Sequence, residues 1–146
     1  MSAPVEADAL GRCHYYRTVC GLPCHIDESG MIAVSIGGGV RAVTTPEPLA
    51  KAMREFLVAR SLVGPIVWHR SRRCTFLTGY SVEADDDSLY APTLLRTNSQ
   101  IVPPLGMVPL PSPGDDGTYR RWIEPARDGF RPSLGTVLDA LLECAR

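Results

Sequence analysis

The residues best suited to chemistry gather in three parts of the 146-residue chain. Cys13-His14, Cys20 and Cys24-His25 place three thiols and two imidazoles within thirteen residues. Zinc takes tetrahedral sets of Cys and His, and the Cys20-x3-Cys24 spacing suits a zinc loop, so Cys13, Cys20, Cys24 and His25 form a candidate ligand set. The same thiols also suit a core strand as small apolar groups, and no second closely spaced Cys pair backs them. The expectation is no cofactor, with zinc as the alternative. An iron–sulfur cluster would have to recruit Cys74 and Cys144 from distant elements. A Cys24-His25 nucleophile pair is disfavoured because neighbours in a strand point to opposite faces.

The second gathering is cationic. Trp68, His69, Arg70, Arg72 and Arg73 fall within six residues, and residues 50–75 carry six cations (Lys51, Arg54, Arg60, Arg70, Arg72, Arg73) against Glu55, a local charge of +5. Guanidinium groups bind phosphate bidentately and an indole stacks on a base. Trp68, His69, Arg70, Arg72, Arg73 and Arg54 are therefore the candidate ligand-binding residues, for a nucleotide or a nucleic-acid strand. The competing reading is a solvated turn whose charges pair with Glu83, Asp85, Asp86 and Asp87. Those four acids, with Asp115 and Asp116, make the third gathering. They matter for catalysis only if at least two converge on one metal ion. Gly37-Gly38-Gly39 lacks the Gly-x4-Gly-Lys pattern of a phosphate loop and reads as a turn.

Composition frames these clusters. Lys+Arg 15 against Asp+Glu 16 gives a net charge of -1, which removes a whole-molecule basic field and leaves only local patches for anions. Fourteen of the fifteen basic residues are Arg, the bias of a high-GC genome. Five cysteines behind a start with neither a basic head nor an apolar stretch point to reduced thiols and a cytoplasmic setting. The chain length suits one domain, and no apolar run approaches the roughly 20 residues a membrane span needs.

The elements are set by pattern. Residues 1–12 lack an apolar period and read as a flexible N-terminus, leaving 13–146 as the single domain. Gly21 and Pro23 make residues 15–26 irregular or strand-like. Residues 31–36 and 40–44 read as a hairpin closed by the three glycines, and residues 66–68 and 74–77 as a second hairpin around the Arg turn. Between them, Thr45 reads as the N-cap of a helix started by Pro46, with Leu49, Met53, Phe56 and Leu57 along one face. Leu94-Leu95 and residues 107–110 read as strands, the latter confined to an edge by its prolines. Residues 119–123 add a last short strand, and Ser133 caps a final helix. The fold class is α+β, a mainly antiparallel sheet with one central and one C-terminal helix packed on it.

In that order of segments, residues 31–76 and the Leu105-Gly-Met-Val-Pro-Leu-Pro-Ser112 run before Arg121-Trp122 resemble the N-terminal domain of bifunctional DNA primase/polymerases, especially short actinobacterial members. The resemblance implies an acidic pair on the strand before the first helix, a phosphate-contacting His near Arg73, and a third acid near Leu94 or Leu95. This chain holds Arg41 and Thr44 where the acid pair would stand, and neither is a carboxylate. The chain therefore reads as a non-catalytic binding or regulatory protein on a degenerate primase/polymerase-like fold. Its partner is an unknown protein, or a nucleic acid or nucleotide through the Arg loop, with no membrane. The alternative is a small metal-dependent or nucleic-acid-processing enzyme using acids elsewhere in the chain.

Overall fold

The computed structural model describes residues 3–80, 89–115 and 117–146. Helix α1 (Ala3–Thr18) leads into β1 (Cys24–Ile26), β2 (Ile32–Ser35) and β3 (Arg41–Pro46), followed by α2 (Glu47–Ala59). Then come β4 (Ile66–His69), β5 (Arg73–Thr78), α3 (Ala91–Arg96), β6 (Gln100–Ile101), β7 (Met107–Pro109), β8 (Arg120–Glu124) and α4 (Leu134–Cys144). The strands form a three-stranded antiparallel sheet in the order β1-β2-β7 and a five-stranded one in the order β6-β3-β5-β4-β8. The α+β class and the dominance of antiparallel pairing are as the sequence implied.

Strand alternation gives the larger sheet two faces with separate cores. Val43, Ile66, Cys74 and Phe76 face α2 and α4, where Met53, Leu57, Leu134, Leu138 and Leu141 complete one cluster. Ala42, Val67 and Leu77 face the other way, onto α1 and the three-stranded sheet, with Tyr16, Leu22, Ile32, Val34 and Leu110. The final helix starts where Ser133 Oγ accepts a hydrogen bond from the Thr136 amide at 3.1 Å, which satisfies one of the donors a helix start leaves free. Among the described residues no helix is long and apolar enough to cross a membrane.

Four expectations are corrected. The first twelve residues are helical from Ala3 onward, and Ala9, Cys13 and Tyr16 of α1 are buried. Their spacing is helical, but Ala, Cys and Tyr signal a core face weakly. The glycines make the expected tight reversal, closed by a Gly37–Val40 bridge, but it does not extend into a hairpin of β2 and β3: β2 pairs with β1 and β7, and β3 with β5 and β6, so the turn carries the chain from one sheet to the other. Thr45 is still paired with Cys74 in the β3–β5 ladder, so α2 begins one residue later, with Pro46 at the N-cap position and no side-chain cap. Leu94 and Leu95 lie in α3, which carries Pro92 in its first turn, and not in a strand. The hairpin of β4 and β5 forms as expected, as does the last strand, β8.

Candidate functional site

The Arg turn joins β4 to β5, and alternation divides its residues between the two faces of the large sheet. Trp68 pairs with Cys74 and Arg121, on the face toward α2 and α4. The Arg121 guanidinium lies 3.9 Å from the Trp68 ring centroid, so the indole already holds a cation on its π-face. Arg54 of α2 lies on this side too and is ion-paired with Glu124 of β8, donating from Nε to Oε1 at 2.7 Å. Trp68 and Arg54 are therefore separated from the rest of the expected cluster by the sheet itself.

His69 and Arg73 face the other way. Register places Arg73, His69 and Arg120 side by side on β5, β4 and β8. Strands lie about 4.8 Å apart, so the three Cα positions span roughly 10 Å. Behind them on the same face run Gln100, Thr44, Thr75, Val67 and Trp122, again in register. Arg73 Nε donates to Thr44 Oγ1 at 3.3 Å, and His69 Nε2 is 2.8 Å from Thr75 Oγ1. Arg120 reaches to the other side, 3.5 Å from Asp115, which is buried. His69 is thus flanked by two guanidinium groups. Burial first, then Arg120 and Arg73, push its pKa down to about 4, so the imidazole is neutral at physiological pH.

Arg70 and Arg72 occupy the exposed turn. Arg72 has a φ of 65°, and its amide closes the turn on the His69 carbonyl at 2.9 Å. The Arg70 amide bonds to the Tyr119 carbonyl at 2.9 Å, and its guanidinium lies 5.3 Å from that ring. Among the described residues Arg73 has no carboxylate partner. Glu83, Asp85, Asp86, Asp87 and Asp116 lie outside the described residues, so the carboxylate pairing expected for the turn, and convergence of those acids, fall there too.

The cysteine cluster has a different environment. Cys13, Cys20 and Cys24 are buried in the apolar core beneath α1. Burial above all, with Cys13 beside it, pushes Cys24 up to about 12, and burial raises Cys20 as well. Such groups are protonated thiols at neutral pH and poor nucleophiles. His25 is the next residue of β1, half-buried, with its side chain on the opposite side of the strand from Cys24. Among the described residues no group of three His, Cys, Asp or Glu side chains converges as a metal site.

The sequence does not single out Arg120 or Thr75 as site residues, and Asp115, expected only as a metal-holding acid, is instead the buried partner of Arg120. Arg120-Arg121 was visible as a basic pair in a short strand, but β8 pairs with β4 across some fifty residues of sequence, and only that pairing puts Arg120 beside His69 and Arg121 over Trp68. Of the positions singled out by the family resemblance, Thr44 accepts from Arg73, Arg41 stands three residues away on the same strand and so on the opposite face, and Leu94 is buried. No family model, curated protein or solved structure matches the chain.

Proposed function

We propose that the chain is a non-catalytic binding protein that holds a phosphate-bearing anion over His69, between Arg73 and Arg120. The observation that carries this is the half-buried row itself. Two guanidinium groups on the strands either side of β4 flank one imidazole that stays neutral, and Arg73 has no carboxylate among the described residues, so positive charge on the row is left in excess. An anion balances that excess, and arginine's fixed fork matches phosphate oxygens bidentately. The hydroxyls of Thr44 and Thr75 add neutral donors beside the cations.

Binding rather than phosphoryl transfer fits the residue types on the row. Asp115, the carboxylate at its edge, is engaged by Arg120 and accepts from the Ser112 amide at 2.9 Å. On the resemblance to primase/polymerases, Arg41 and Thr44 replace the acid pair that would hold the metal ions, so the fold would persist without the chemistry. Calorimetric titration with inorganic pyrophosphate, and anisotropy of a labelled single-stranded oligonucleotide at two salt concentrations, test the reading, with primer extension in Mg²⁺ or Mn²⁺ alongside. Binding that weakens with salt and no extension are expected. No binding of either anion at low salt would leave a protein partner as the better reading, and robust extension lost on chelation would establish the enzyme alternative.

A further inference from the structure

A cavity of about 810 Å³ opens beside the cationic row, between α1, the β1–β2 turn and the loop before β8. Drug-sized ligands occupy spaces of this size. Its walls include the apolar side chains of Leu10, Ile26 and Met31 and the ring of Tyr119, and Arg120 lines it as well. Arg120 is thus shared, standing beside His69 on the sheet and lining the cavity.

Arg120 is held by one carboxylate and one weak acceptor. Its side chain is 17% exposed and that of Asp115 5%. At 3.5 Å from the Asp115 oxygen, Arg120 Nη1 makes its shorter contact, 2.9 Å, with the thioether sulfur of Met31. A thioether is a weak acceptor, so a charged donor is spent on a poor partner at a cavity wall. Asp115 has less to spare, because its other oxygen accepts from the Ser112 amide. Asp27 and Glu28, both exposed on the β1–β2 turn, line the cavity as well. Asp27 Oδ1 is held by the amides of Ser29 and Met31 at 2.9 and 3.0 Å, which keeps its negative charge at the rim.

Resting on the anion-binding reading above, we infer that the ligand is a small phosphate ester with an apolar or aromatic body, its phosphate over Arg120 and His69 and its body in the cavity against Leu10, Ile26, Met31 and Tyr119. Arg120 supplies the anion contact that a thioether only partly replaces. The apolar walls reward a body without charge, and the acids at the rim oppose a polyanionic strand running across the opening.

The test uses the whole chain with 1-naphthyl phosphate, inorganic phosphate and a ten-residue single-stranded oligonucleotide, each titrated by calorimetry, and repeats the first two with Leu10→Trp, which fills the cavity from an exposed position. The aryl phosphate is expected to bind at least about tenfold more tightly than inorganic phosphate, and Leu10→Trp to abolish that advantage. Equal affinities for the two phosphates in the unsubstituted protein would overturn the inference while leaving the anion site standing. So would an advantage that survives Leu10→Trp, or tighter binding of the oligonucleotide than of the aryl phosphate. Failure of all three ligands to bind would remove the anion site itself.

Discussion

His69 shows how a single residue changes meaning between sequence and fold. In the sequence it is an imidazole beside arginines, the setting of a phosphate contact. In the fold it is a neutral group held by Thr75, with its pKa pushed from 6.5 down to about 4 by burial and then by Arg120 and Arg73. Because the folded value lies below the unfolded one, the unfolded chain binds the extra proton as pH falls from 6.5 toward 4. Stability is therefore full above about pH 6.5 and is lost through that window, by about 3 kcal/mol in total. Urea denaturation of the protein and of His69→Gln at several pH values isolates the effect, since other titrating groups are common to both. The unsubstituted protein is expected to lose about 3 kcal/mol more than the variant between pH 6.5 and pH 4. Equal losses would mean that His69 takes up its proton as readily in the folded chain as in the unfolded one.

Elements were legible where short-range pattern and long-range packing agree. The β4–β5 hairpin is one such place: two apolar runs flank a polar turn, and Arg72 at positive φ closes it. The glycines after β2 are the opposite case. Gly37 and Gly38 do take positive φ, as a tight reversal requires, but β2 pairs with β1 on one edge and on the other with β7, some seventy residues away, and no local signal announces that second pairing. The face of α1 was missed for a related reason, because Cys13 and Tyr16 become a core face only once Leu22, Leu110 and Trp122 are folded against them. Tyr16 shows the contact directly, accepting from Trp122 Nε1 at 3.1 Å and donating to the Pro111 carbonyl at 3.1 Å. Gly64, just before β4, holds a similar long-range contact. A Cβ there would collide with the Pro132 ring, which leads into α4. Gly64→Ala is expected to cost about 1–3 kcal/mol in chemical denaturation, because a proline ring cannot yield as a flexible side chain would. A neutral result would show that the approach to α4 has room to move.

At the scale of the whole molecule, a chain with net charge -1 separates its cations by folding them onto opposite sides of one sheet. The sequence shows one basic stretch from Lys51 to Arg73, which invites a single docking face. Parity divides it: Arg54, Trp68 and Arg121 go to the helix side, and His69, Arg73 and Arg120 to the other. The two sides also differ in how far their charges are already satisfied. Arg54 is paired with Glu124, whose side chain is only 17% exposed, whereas Arg73 has Thr44 and no carboxylate among the described residues. The two arginines should therefore separate stability from binding. Arg54→Ala leaves a largely buried carboxylate without its cation and is expected to lower stability by about 1 kcal/mol, with little change in pyrophosphate affinity. Arg73→Ala removes only a long hydrogen bond to a hydroxyl from the fold, so its stability cost is smaller. It also removes one of the two guanidinium groups around the proposed anion, so pyrophosphate affinity should fall roughly tenfold or more. Urea denaturation and calorimetric titration of the same two variants measure both quantities. If Arg54→Ala weakened pyrophosphate binding as much as Arg73→Ala, the anion would sit on the helix side, against the Trp68–Arg121 pair, and the charge separation made by the sheet would carry the opposite meaning.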